Sequence, residues 1–100
     1  MIYITLLIYI VEDQEDIFQQ FEKMAIPIIS KYNGRLNLRI RPRKDTIIEC
    51  NIEKPYEIHL IEFSSEQDFE NFKNDTERKR FLHLREKSIK TTILIKGEKI

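Results

Sequence analysis

Five cations fall between positions 35 and 44: Arg35, Arg39, Arg41, Arg43 and Lys44. No acid occurs between Lys23 and Lys44. Asn37, Arg39 and Arg41 are spaced two apart, so in an extended segment they share one face. A guanidinium there can grip a carboxylate or phosphate through two parallel hydrogen bonds. The competing reading is a solvated edge strand whose charges prevent edge-to-edge association. His59 is flanked by Ile58 and Leu60, and by alternation it shares a face with Glu57 and Ile61. A histidine in a cleft titrates near neutrality and can act as acid, base or ligand, which makes His59 the candidate catalytic group. Glu57 is placed to orient it, and a hydrogen-bonded interface histidine is the alternative. Tyr3 and Tyr9 either pack at an interface or offer a phenol to a ligand. His83, among Arg80, Arg85 and Glu86, reads as surface. Cys50 is the single cysteine and has no activating neighbour in sequence.

Other chemistries have no signature. There is no glycine-rich phosphate loop, no nucleophile elbow and no pair of metal ligands at helical spacing. No metal and no cofactor is expected. One thiol cannot form an internal disulfide, which suits a reducing cytoplasm. Lys plus Arg and Asp plus Glu are 17 each, so the net charge is zero. A bulk electrostatic grip on nucleic acid or on an acidic membrane is therefore not expected. The apolar run Ile2 to Val11 is about half the roughly 20 residues needed to cross a bilayer. No basic region precedes it, and acids follow where a leader would be cleaved.

These groups must be held by elements. One hundred residues with 41% hydrophobic content suffice for one domain, 1–100. Ile2, Ile4, Leu6, Ile8 and Ile10 alternate with Tyr3, Thr5, Leu7, Tyr9 and Val11, the pattern of a strand. Apolar residues from Ile17 to Tyr32 follow 3.6 spacing and predict an amphipathic helix, bent at Pro27 and capped by Asn33-Gly34. Leu36, Leu38 and Ile40 predict a second strand, with Asn37, Arg39 and Arg41 on its other face. Ile47 to Ile52 is expected to resume extended structure. Tyr56 to Phe63 predicts a third strand. Ser64-Ser65 and Asn74-Asp75 look like helix caps, opening helical segments that run to about Ser88 with Phe69, Phe72 and Phe81 in the core. Thr91 to Lys96 predicts the last strand.

Strand, helix, strand, strand, helix, strand is the split βαβ order. It implies an α+β, ferredoxin-like domain: a four-stranded antiparallel sheet with helices on one face. The bare face is expected to carry Tyr3, Thr5, Leu7, Tyr9, His59, Ile61 and Phe63. A patch of that kind predicts a homodimer paired face to face.

Lys31-Tyr32-Asn33-Gly34-Arg35-Leu36-Asn37-Leu38-Arg39, with Pro27 before it, resembles a passage of the dimeric α/β-barrel superfamily. The similar features are a proline in the first helix, a Tyr-Gly-Gly-Arg turn and an arginine four residues on. Glu62-Phe63-Ser64-Ser65, Phe69, Phe72, Leu84-Arg85 and Gly97 extend the likeness over nearly the whole chain. Within the superfamily the chain looks like a small bacterial domain of unknown function related to EthD-like and antibiotic-biosynthesis-monooxygenase-like domains. Asn33 stands for the first glycine of the turn, and Ile40-Arg41 for a frequent glycine pair. The resemblance implies a dimeric barrel with a cleft between its sheets. It also implies cofactor-independent oxygenation, isomerisation or decarboxylation as the chemistry to expect. The expected ligand is small and anionic or phenolic, with Asn37, Arg39, Arg41, His59, Tyr3 and Tyr9 as its candidate contacts. The alternative is a non-enzymatic dimerisation or protein-interaction module.

Overall fold

Two isoleucine-rich segments, at the start and end of the chain, lie side by side in the middle and at one edge of a sheet. The computed structural model describes residues 1–100. Strands β1 (Ile2–Ile10), β2 (Gly34–Ile40), β3 (Glu57–Phe63) and β4 (Ile89–Gly97) form one antiparallel sheet in the order β2-β3-β1-β4. Helices α1 (Glu15–Ala25), α2 (Glu66–Lys73), α3 (Thr76–Arg80) and α4 (Leu82–Ser88) supply the connections. This is the ferredoxin-like α+β arrangement. No helix is long and apolar enough to cross a membrane.

The core lies between the sheet and its helices. Ile4, Ile28, Ile29, Ile61, Phe63, Phe69 and Phe72 form one buried cluster. Phe63 packs on Phe69 and Phe72, with ring centroids 5.4 and 5.5 Å apart. Phe81, expected in the core, is half-buried at the break between α3 and α4.

Pro27 does more than bend the first helix. It cannot donate the hydrogen bond an α-helix requires, so α1 stops at Ala25 and a 3₁₀ stretch, Ile26–Tyr32, carries the chain on. Asn33 ends that stretch in the left-handed conformation, φ 56°. Gly34 follows because a side chain would not fit: a Cβ there would stand 2.6 Å from the Phe63 ring and 2.7 Å from Ile29. The two helix caps fall one residue later than the spacing of Ser64 and Asn74 suggests. Ser65 accepts from the Asp68 amide, and Asp75 from the Arg78 amide. Ile47 to Ile52 is not extended. After a short 3₁₀ turn, Lys44–Thr46, it forms part of a loop outside the sheet.

Pairing decides the faces, and it corrects the expected layout. Ile4 is opposite Ile61, and Leu6 is opposite His59. Directly opposed residues project to the same side, so His59, Ile61 and Phe63 join the even residues of β1 under the helices. They are not on the bare face. Strand β2 changes parity partway. Leu36 pairs with Ile61, but Leu38 pairs with Leu60, leaving Asn37 as an extra residue. Such a bulge turns everything after it to the other side. Arg39 therefore lies opposite His59 on the helix side, while Leu38 and Ile40 point to the open side.

Candidate functional site

Strand β3 places Glu57 and His59 two residues apart on the covered face, and both are almost wholly buried, at 1% and 3% exposure. Their close approach follows from period-2 geometry. The bulge in β2 brings Arg39 over them, and Arg41 follows just beyond the strand. Glu57 holds three donors: Arg39 Nε at 2.9 Å, Arg41 Nε at 2.9 Å and His59 Nε2 at 2.5 Å. Arg39 also reaches Gln19 of α1 at 3.3 Å, and the Arg41 guanidinium lies over the Tyr56 ring at 5.1 Å.

A fourth member comes from α1. Glu22 sits among Phe18, Phe21 and Ala25 on the buried stripe of that helix. Its Oε2 is 3.8 Å from His59 Nε2. The two carboxyls have opposite environments. Burial pushes Glu22 up to about 7; the charge of His59 opposes that rise, and Glu57 adds to it. Burial also acts to raise Glu57, but hydrogen bonds from His59, Arg39 and Arg41 outweigh it and hold the group at about 2. At neutral pH Glu57 is a fixed anion, so His59 Nε2 carries the hydrogen that lies between them. Glu22 is then the carboxyl poised to gain or lose a proton. Two titratable groups pushed apart in this way can divide the roles of proton carrier and fixed charge.

Glu22 and His59 form the polar wall of a cavity of about 160 Å³ between sheet and helices. Ile4, Leu6, Ile61, Phe63, Phe69 and Phe72 make up much of the rest. Leu94, on the helix side of β4, is 42% exposed, so the cavity is not sealed at that edge. On its outer side Glu22 also borders a shallow groove with Gln19, Lys23 and Arg39, giving the carboxyl a second, more polar boundary.

Glu22, Glu57 and His59 bring one ligand atom each to within 4.8 Å of one another. Two carboxylates and a histidine can hold zinc or iron. Here, however, both oxygens of Glu57 already accept from arginines. A dication would sit beside two fixed positive charges and a neutralised carboxylate. The donor set does not fit a metal, and it does fit proton handling.

Of the residues marked in the sequence, the fold brings together Arg39, Arg41, His59 and Glu57. It separates the others. Asn37 lies in the bulge and, with Arg35, engages Glu62. Tyr3 is half-buried on the open face, and Tyr9 is buried with its hydroxyl donating to the Glu53 carbonyl at 2.8 Å. Arg39 does not stand free, because its Nε is held by Glu57 and one terminal nitrogen by Gln19. His83 and Cys50 are exposed. Glu22 was not among the marked residues. Its signal was a carboxylate spaced with Phe18, Phe21 and Ala25 on the apolar stripe.

No family model and no curated protein matches this chain. Solved structures do. A Rhodopseudomonas palustris protein of unknown function superposes with a TM-score of 0.83 at 13% identity, over 99% of this chain and 82% of its own. A candidate antibiotic biosynthesis monooxygenase from Nitrosomonas europaea gives 0.74 at 8% identity, over 100% and 99%. A Dabb family protein with a ferredoxin-like fold from Mesorhizobium loti gives 0.66 at 14% identity, over 99% and 96%. At such identities the likeness establishes the fold, and the neighbours include the kinds of domain the sequence resembles.

Proposed function

We propose that the protein binds a small, largely apolar molecule between its sheet and its helices and exchanges a proton with it through Glu22, assisted by His59. The observation that carries this is the pairing of two buried proton-carrying groups, 3.8 Å apart, on the wall of a mostly apolar cavity. Pockets that are mostly apolar with a few convergent polar groups are the usual form of small-molecule sites. Cofactor-independent oxygenation, isomerisation and decarboxylation all move a proton at substrate carbon or oxygen, and a carboxyl near neutral pKa suits either direction. Glu57, pinned by two arginines, holds His59 in one tautomer and is the positioning residue. The site belongs to one chain. It does not lie in the cleft between paired sheets that the sequence suggested.

The test is proton exchange itself. A panel of small ketones and phenols is incubated with the protein in D₂O, and deuterium incorporation is followed by NMR. Accelerated exchange with a pH midpoint near that of Glu22 is expected. Glu22→Gln should lower it by about 10² to 10⁴-fold, the usual contribution of a general acid or base. Absence of exchange across the panel, with no shift of cavity resonances, would overturn the reading.

We further propose a cytoplasmic homodimer joined through the open face. Leu38, Ile40, Ile93 and Ile95 are 41–53% exposed there. With Leu7, Ile58 and Leu60 they make apolar rows across all four strands. Such an extent is unusual for a monomer, and a twofold partner would bury it. That face also supports the second reading, an assembly module without catalysis. An empty cavity that binds none of the probes would favour it.

A further inference from the structure

The lining of the cavity carries three cations and one carboxyl. Besides Glu22 and His59, Lys73, Arg78 and Arg85 of α2, α3 and α4 line it, with Arg78 near enough to Glu22 for their charges to interact. Lys73 is engaged: its Nζ lies 2.9 Å from Glu70 and over the Phe69 ring at 4.6 Å. Arg78 is engaged only in part. One terminal nitrogen donates to the Lys73 carbonyl at 3.3 Å, and the guanidinium covers the Phe72 ring at 5.1 Å. Its Nε is removed from solvent and has no hydrogen-bond partner. Arg85 forms no ion pair.

A buried donor without an acceptor is costly and rare in folded proteins. Here the cost is compounded, because burial and the charge of Arg85 both act to lower the pKa of Arg78. The nearby carboxyls Glu22 and Asp75 oppose that lowering without outweighing it, and neither bonds the Arg78 Nε. Asp75 is occupied by the hydroxyl of Tyr32 and the Arg78 amide, and Glu22 is near its own midpoint at neutral pH. The fold thus holds two neighbouring guanidiniums in the lining of a mostly apolar cavity, one with an N–H unused.

We propose that the ligand of this cavity is a monocarboxylate with an apolar body, its carboxylate held by Arg78 and Arg85 and its body seated among Ile4, Ile61 and Phe72. This rests on reading the cavity as the binding site and names the class of molecule that fills it. The two oxygens of a carboxylate match the terminal N–H groups of two neighbouring guanidiniums, and the unpartnered Nε leaves Arg78 short of acceptors. Cavities of roughly 150 Å³ hold a benzene ring, so the body is a single ring or a short aliphatic chain. Arg39, the anion anchor suggested by sequence, is replaced in that role by arginines from the other half of the chain.

Isothermal titration calorimetry with benzoate and with its neutral counterpart benzyl alcohol tests this, with methyl resonances of Ile4 and Ile61 reporting where each binds. Benzoate should bind at least about tenfold more tightly, as loss of a charge-assisted hydrogen bond implies. Arg78→Gln and Arg85→Gln should each erase that preference and leave benzyl alcohol unchanged. If Arg78→Gln does not fold, Arg85→Gln and the wild-type comparison still decide. Equal binding of the two probes, or benzoate affinity kept in the folded variants, would overturn the carboxylate assignment alone. Failure of both probes to shift the cavity methyls would remove the cavity reading as well.

Discussion

Glu22 and Glu57 work against each other in the stability of the fold. Glu57 is held at about 2, below the ordinary carboxylate value of 4.5. Its stabilisation is present above pH 4.5 and is lost as pH falls toward 2. A full conversion would be about 3 kcal/mol; its arginines stand partly in solvent, and screening reduces this to about 2 kcal/mol. Glu22 is raised to about 7. Its preference for the protonated folded state is complete below pH 4.5 and is lost as pH rises through 7, a cost of roughly 3 kcal/mol when it ionises. Glu22→Gln should therefore flatten the decline in stability between pH 5 and 8. At pH 8 it should raise the urea unfolding free energy by about 1–3 kcal/mol, the trade expected of the proton carrier proposed above. An unchanged pH profile in urea titrations would show that Glu22 is not buried as a carboxyl. Part of this was legible in the sequence. His59 and its neighbour Glu57 follow from alternation within one strand. Glu22 does not, because one acid on a helix reads as solvated until its Phe18, Phe21 and Ala25 spacing is weighed. The Arg39–Glu57 pairing joins two strands, and only their register could place it.

At the scale of elements, the order of strands and helices could be read from periodicity because each face is uniform in character over several residues. What could not be read were the places where one residue changes the geometry. Pro27 converts α-helix to 3₁₀-helix, and Asn37 reverses the parity of β2. Both depend on how backbone hydrogen bonds are redistributed, which side-chain patterning does not encode. Gly34 is the complementary case. Its neighbour Asn33 carries the left-handed turn, so the glycine is required for close approach to Phe63 and Ile29 and not for a positive φ. Gly34→Ala should cost about 1–3 kcal/mol through overpacking, read as a lower melting temperature with the fold intact by circular dichroism. Asn33→Gly, which relieves the turn without touching the core, should be close to neutral.

For the whole molecule, zero net charge conceals a strongly uneven distribution. The acids of positions 12–22 open the first helix, the cations of 31–44 follow, and two of those cations, Arg39 and Arg41, pair with Glu57 of β3. The open face takes no part in that pairing. Leu60 stands near its middle, between Leu38 and Thr5. Leu60→Arg should convert a species of twice the 12.1 kDa chain mass into one of that mass, measured by sedimentation equilibrium, with the cavity and its pH response intact. A wild-type chain that stays monomeric at micromolar concentration would overturn the dimer. The bulge at Asn37 ties the two regions together in genetic terms. Loss of that one codon would put Leu38 directly after Leu36, still opposite Leu60, so simple alternation would keep Leu38 and Ile40 on the open face and Arg39 on the helix side. Keeping Asn37 but pairing it with Leu60 would instead turn Leu38 and Ile40 inward, strip Glu57 of its counter-charges and put two cations on the apolar face. A deleted codon there is thus silent for the two faces, and it is the bulge, with its one residue left over, that separates this surface and this site from their inverse.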